Sequence, residues 1–178
     1  EDGSLADDLN YISSFQNLDT TNYAWIGQLR SEIDLDSPEV RARIVESSKW
    51  IVERGFDGIH LNIEPVRHDD TGYFELLKEL RAALPEAKLS IATDEWQPHF
   101  ISLFLANILN TTIQSYWQAD QITNAAEYVD QIVVMTYDTG FKDPDLYSWW
   151  VEQQTISLSS ILPKDIELFV GIPSYDKG

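Results

Sequence analysis

The sequence predicts an α/β fold of the (β/α)8 TIM-barrel type, and three observations carry that expectation. Five short apolar runs alternate with segments of helical periodicity. The runs stand about 25 residues or more apart, a separation that calls for crossover helices and therefore parallel strands. Acids and aromatics gather where the runs end, at the edge where parallel α/β folds hold their ligands. Periodicity alone leaves a barrel and an open doubly wound sheet both admissible.

The first run is Tyr23 to Leu29. Asp36-Ser37-Pro38-Glu39 then offers a capping residue, a proline for the first turn and an acid beside a helix N-terminus. Val40, Ile44, Ser47 or Ser48, Ile51 and Val52 recur at helical spacing up to Gly55, a C-cap residue. Residues 56–63 read as the second strand. Asp70-Thr71-Gly72 opens a helix whose buried face is expected to be Phe74, Leu77, Leu80, the stem of Arg81 and Leu84, with Pro85 as its stop. Residues 88–92 are the third strand. Residues 100–113 have helical periodicity that weakens at Asn110-Thr111-Thr112, a glycosylation-type tripeptide too short to carry weight. Thr123 is expected to cap a helix through Tyr128, and residues 131–137 form an apolar strand. Asp143-Pro144 starts a helix to about Leu162, and residues 166–172 form the last strand, closed by Pro173.

At 178 residues the chain is one domain, short of the ~250 typical of a complete barrel. Six Trp, eight Tyr and seven Phe supply the bulk of a real core. The net charge of −18 excludes nucleic-acid binding, which needs clustered Lys and Arg, and an anionic membrane surface would repel it. The absence of Cys excludes disulfides, thiolate catalysis and cysteine-ligated zinc. No apolar run approaches the ~20 residues of a membrane span. No Gly-rich phosphate loop follows a strand, and no cofactor is expected. The start, Glu1-Asp2-Gly3-Ser4, is neither an initiating Met nor a signal peptide, so the chain reads as a piece of something longer.

The most informative stretch is Asp57-Gly58-Ile59-His60-Leu61-Asn62-Ile63-Glu64-Pro65. Alternate side chains of a strand share a face, so His60, Asn62 and Glu64 point one way and Ile59, Leu61 and Ile63 the other. Three polar side chains in a row are costly on a covered strand unless that face lines a polar site. Glu64 stands at the C-terminal end, and Pro65 ends the strand beside it. Three more strands release acids or aromatics at the same end: Asp94, Glu95 and Trp96; Tyr137 and Asp138; and Tyr175. Aromatic faces flanked by carboxylates suit sugar rings, whose C–H faces stack and whose hydroxyls need acceptors.

These residues resemble glycoside hydrolase family 18, the chitinase and endo-N-acetylglucosaminidase family. Asp57 to Glu64 is similar to its D-G-x-D-x-D-x-E strand. Met135-Thr136-Tyr137-Asp138 is similar to its M-x-Y-D, and Gly171-Ile172-Pro173-Ser174-Tyr175 to its G-x-P-x-Y. The resemblance runs from about residue 23 to the end and implies that residues 1–178 are part of a single barrel domain, about strands 3 to 7. The N-terminal strands and the last strand then lie outside this chain. It implies an N-acetylglucosamine-containing glycan as substrate and Glu64 as the general acid. Retention would be substrate-assisted, an exception to the two-carboxylate scheme. Tyr137 would then bond the acetamido oxygen, Asn62 the acetamido N–H, and Asp138 the sugar near the cleaved bond. Asp57, His60, Asp94, Trp96 and Tyr175 would contact substrate. The resemblance also favours an extracellular or cell-envelope setting.

Two positions depart from the family pattern. Asn62 replaces an Asp and brings no negative charge to the oxazolinium. His60 replaces the middle Asp, and a protonated ring there would favour an ionised Glu64, the wrong state for an acid. One rival reading is therefore a carbohydrate-binding barrel with little or no turnover. A metal-dependent hydrolase is the other, since Asp57, His60, Glu64, His68, Asp69 and Asp70 are potential ligands within fourteen residues. They meet no zinc spacing, and no metal is expected.

Overall fold

A computed structural model describes residues 20–68, 70–96, 117–137, 139 and 141–173. The elements run β1 (Tyr23–Leu29), a 3-10 turn (Arg30–Glu32), α1 (Pro38–Glu53), β2 (Gly58–Glu64), α2 (Thr71–Ala83) and β3 (Lys88–Thr93). They continue with α3 (Ala119–Ala126), β4 (Gln131–Met135), α4 (Pro144–Ile161) and β5 (Glu167–Gly171). The periodicity over residues 100–113 and the tripeptide at Asn110 lie outside the described residues.

The five strands pair in chain order, β1-β2-β3-β4-β5, and every pair is parallel. A doubly wound sheet reverses its strand order at a switch point. This sheet does not, so of the two architectures left open by periodicity it is the wall of a barrel. Within the described residues the sheet stays open, with β1 and β5 at its edges.

Alternation along each strand divides the sheet into two faces. Ile59, Leu61, Ile63, Ile91, Ile132 and Val134 face outward and are almost fully buried. They meet α1 through Ile44 and Ile51, and α2 through Leu76, Leu77 and Leu80, in one apolar cluster. Burying each such side chain contributes about 1.5–3 kcal/mol. The inner face carries the polar groups of β2.

Local signals set most of the boundaries. Ser37 Oγ accepts from the Val40 N–H, with Pro38 opening α1, and Asp143 caps α4 through the N–H groups of Asp145 and Leu146. Gly55 follows α1 at φ 96°, a left-handed conformation that favours glycine. Two expectations are corrected. The buried face of α2 is Tyr73, Leu76, Leu77 and Leu80, and Phe74 is only partly covered: both rings reach Trp117, at 6.0 and 6.4 Å between centroids, but the helix is rotated so that Tyr73 is the one fully enclosed. Thr123 is not a cap: it lies inside α3, its hydroxyl donating back to the Ala119 carbonyl, while Gln121 Oε1 accepts from the Gln118 N–H at the helix start. No helix among the described residues is long and apolar enough to cross a membrane.

Asp70 ties the segment after β2 to β1. Its Oδ1 accepts from the Tyr73 N–H and caps α2, while both its oxygens accept from Arg30, whose Nη1 also holds the Ile33 carbonyl. Only 4% of the Asp70 side chain is exposed. Asp70→Ala is expected to lower the unfolding free energy by about 3 kcal/mol, since it strands a largely buried guanidinium and removes a cap. Asp36, 3.9 Å from Arg30 and 76% exposed, is the control, with an expected loss below ~0.5 kcal/mol on Asp36→Ala. Urea titration of both variants checks the pair; equal losses would contradict it.

Candidate active site

The parallel register converts the alternation of β2 into rows across the inner face. Trp25, His60, Ser90, Gln131 and Glu167 occupy one row, each paired with the next. Asn62 stands one row higher, opposite Gly27, and Glu64 tops β2 opposite Leu29. An open groove of about 490 Å³ runs over this corner, lined by Trp25, Gly27, Gln28, Leu29, Asn62 and Glu64. Gly27 leaves room there for the indole of Trp25. A Cβ at that position would meet Trp25 Nε1 at 2.9 Å, so the indole folds over the glycine, beside Asn62. Trp25 remains 71% exposed, an aromatic face turned to solvent.

Glu64 is the unusual acid. Burial, reinforced by the charge of Asp94, raises its carboxyl from 4.5 to about 8. Its Oε1 is buried and has no hydrogen-bond partner among the described residues. Burial also raises Asp94 to about 6 and Glu95 to about 7, the latter against the opposing pull of the Trp150 Nε1 donor. Three carboxyls with raised pKa values therefore stand at the ends of β2 and β3, with the charge of Asp94 acting on both Glu64 and Glu95. The Glu64–Pro65 peptide is cis.

His60 behaves otherwise than its charge state suggested from sequence. Burial pushes the imidazole below its ordinary 6.5, so the ring is neutral near pH 7. The expected opposition between a cationic His60 and a protonated Glu64 does not arise. Its Nδ1 lies 2.8 Å from Ser90 Oγ.

The end of β3 is held by α4. The side-chain amide of Gln154, 2% exposed, accepts from the Trp96 N–H at 2.8 Å and donates to the Trp96 carbonyl at 2.9 Å. Tyr137, just beyond β4, donates its hydroxyl to Met135 Sδ. Thr136 ties the same end to β5, its N–H and hydroxyl both donating to the Gly171 carbonyl.

Of the residues singled out from sequence, His60, Asn62, Glu64, Asp94, Trp96 and Tyr137 lie on the inner face or at the C-terminal edge of the sheet. Asp138 and Tyr175 lie outside the described residues. Asp57 is a correction: it precedes β2 at the opposite edge, about 20 Å from Glu64 along the strand, and its Oδ2 accepts from the Asn22 N–H. Asp57 thereby fastens the start of β2 to Asn22, just before β1.

The potential metal ligands among the described residues do not converge. Asp57 is at the far edge, His68 bonds Asp120 at 2.8 Å, and Asp70 holds Arg30 and α2, while Asp69 is outside the described residues. No group of three His, Asp or Glu among the described residues is placed to hold a metal ion. Two contributors escaped the sequence reading: the Gln154 clamp and Trp25. Trp25 sits in an apolar run that reads as core, and only the pairing Trp25–His60 reveals that it shares the polar face.

Comparison with known proteins adds the family. The chain matches the family model of glycosyl hydrolases family 18 over residues 14–178. No curated protein matches it. Among solved structures it is similar to the spore cortex-lytic enzyme SleL of Bacillus megaterium QM B1551, with a TM-score of 0.65 and 18% identity over 99% of this chain and 44% of that one. It is also similar to human YKL-39, described as a pseudo-chitinase with retained chitooligosaccharide binding properties, at TM-score 0.64 and 17% identity over 98% and 56% of the two chains. A family 18 chitinase from Cycas revoluta gives 0.58 and 21% over 85% and 49%. The chain spans about half the length of these structures, and identities this low show the barrel fold alone. The match to the family model covers the motif strand and nearly all the rest of the sequence: the chain belongs to glycosyl hydrolase family 18.

Proposed function

We propose that this chain carries the catalytic corner of a glycosidase acting on an N-acetylglucosamine-containing glycan of chitin or peptidoglycan type. In this reading it supplies about strands 3 to 7 of one barrel domain. The observation that carries the proposal is Glu64: a carboxyl at a strand end, beside an open groove, raised by burial to about 8. A general acid works best when its pKa lies near the operating pH.

The chemistry is substrate-assisted. Glu64 gives its proton to the glycosidic oxygen as the C1–O bond breaks, and the acetamido oxygen of the same sugar bonds to C1, forming an oxazolinium. The Glu64 carboxylate then takes a proton from water, which attacks C1 and reopens the ring with retention. Tyr137 donates its hydroxyl to the Met135 thioether, a weak acceptor, and in this reading that hydroxyl turns to the acetamido oxygen when substrate is bound. Asn62 offers its carbonyl to the acetamido N–H. Asp138, adjacent to Tyr137, would bind the sugar near the cleaved bond. Trp25 offers its exposed face to a sugar ring, with Asp94 and Trp96 at the neighbouring strand end.

A second reading, glycan binding with little or no turnover, is favoured by Asn62, which brings no charge to the oxazolinium. The pseudo-chitinase YKL-39 shows that this fold accommodates that outcome. Hydrolysis of N-acetylglucosamine oligomers and of a peptidoglycan digest separates the two. Glu64→Gln is expected to lower kcat/KM by about 10²–10⁴-fold while calorimetry still detects binding. Undiminished turnover in that variant would remove Glu64 from the mechanism, and binding without turnover in the unaltered protein would establish the second reading.

Stability should report the same proton. Folding favours protonated Glu64, so its stabilising contribution is fully present below its ordinary 4.5 and is lost as pH rises through about 8. Glu64→Gln cannot ionise. Its Tm relative to the unaltered protein is expected to climb between those limits and level off above them. A difference in Tm that stays constant over this range would mean that Glu64 titrates normally.

A further inference from the structure

One row below Asn62, four side chains on four successive strands form a continuous hydrogen-bonded chain. His60 Nδ1 lies 2.8 Å from Ser90 Oγ, Ser90 Oγ lies 2.7 Å from Gln131 Oε1, and Gln131 Nε2 lies 3.1 Å from Glu167 Oε2. The row follows from register, since His60 pairs with Ser90, Ser90 with Gln131, and Gln131 with Glu167. Ser90 is 1% exposed, so its hydroxyl is cut off from solvent.

The directions of these bonds can be counted from one end. An ionised carboxylate only accepts, so Glu167 must receive the amide N–H of Gln131. That turns the Gln131 carbonyl oxygen toward Ser90, whose single hydroxyl proton is then spent on it. Ser90 Oγ has only lone pairs left for His60, so Nδ1 must be the donor. A neutral imidazole carries one proton, and Nε2 is left as an acceptor.

We propose that Glu167, Gln131 and Ser90 are a positioning relay that fixes His60 as the Nδ1–H tautomer, so that an acceptor rather than a donor stands beneath Asn62. The consequence concerns the site assigned above and rests on that reading. Asn62 is the next inner side chain along β2; no hydrogen bond joins it to His60 in this structure, and in the proposal the Nε2 lone pair below it favours the flip that turns the amide nitrogen toward the ring. The Asn62 oxygen is then presented upward, the orientation needed to accept an acetamido N–H. An aspartate needs no such device, because its two oxygens are alike; an asparagine does, because its wrong flip presents a donor to a donor. The relay thus accounts for a histidine and an asparagine occurring together on this strand.

The test reads the imidazole directly. Proton–nitrogen correlation spectra of the full chain near neutral pH report which ring nitrogen of His60 is protonated, and Nδ1–H is expected. Glu167 is exposed, so Glu167→Lys should fold, and Lys, which only donates, is expected to reverse the whole chain. The Gln131 amide flips, Ser90 donates to Nδ1, and the ring becomes Nε2–H three strands away. Ser90→Ala should release the ring to a mixture of tautomers, and Ser90→Thr, which keeps the hydroxyl, should restore Nδ1–H. A purely structural role for the row would leave the tautomer untouched. If hydrolysis is observed, Glu167→Lys should lower kcat about tenfold with little change in KM, the worth of one misdirected hydrogen bond. An Nε2–H ring in the unaltered protein, or an unchanged tautomer in Glu167→Lys, overturns the relay and leaves the role of Glu64 as it was. Absence of turnover with the expected tautomers overturns the glycosidase reading and leaves the relay standing.

Discussion

Strand β2 must satisfy two environments at once, and the rest of the molecule is arranged around that constraint. Its outward side chains, Ile59, Leu61 and Ile63, are buried against α1 and α2, which fixes its register beyond slippage, since a shift of one residue would drive His60, Asn62 and Glu64 into the apolar layer. The same constraint places Glu64 where water is scarce. Its pKa is raised by burial of the carboxyl itself and by the charge of Asp94, and its Oε1 finds no partner among the described residues.

The supporting contacts come from both neighbouring strand ends. Asp70 and Arg30 fasten the segment after Glu64 to the end of β1, and Gln154 grips the backbone of Trp96 at the end of β3. These are buried or largely buried polar groups with satisfied geometry, the kind that specifies one arrangement rather than adding much net stability. Beneath them the row from His60 to Glu167 runs across the sheet, so that an exposed carboxylate at one edge bears on the proton of a ring three strands away.

Much of this was legible in the sequence because it is local. The caps at Ser37 and Asp143, the prolines that follow them and the alternation in β2 are decided by a few neighbouring residues, and all stand where they were expected. What was not legible depends on packing between distant segments. Residues 73, 76 and 80 and residues 74, 77 and 81 are equally periodic, and only the rotation of α2 in the packed layer encloses Tyr73 and leaves Phe74 partly covered, although both rings reach Trp117. Trp25 reads as core until register sets it beside His60. Asp57 shares a motif with Glu64 yet lies at the other edge, because a strand separates its ends by its own length. The charge of His60 depends on burial, which composition does not reveal.

The account rests most heavily on Glu64 holding its proton near neutral pH. A titration of its side-chain carboxyl carbon by nuclear magnetic resonance, with Glu64→Gln used to assign the signal, measures this without any substrate. The structure predicts a midpoint near 8, displaced by burial and by Asp94. A midpoint near the ordinary 4.5 would make Glu64 a carboxylate at neutral pH and contradict its assignment as the acid.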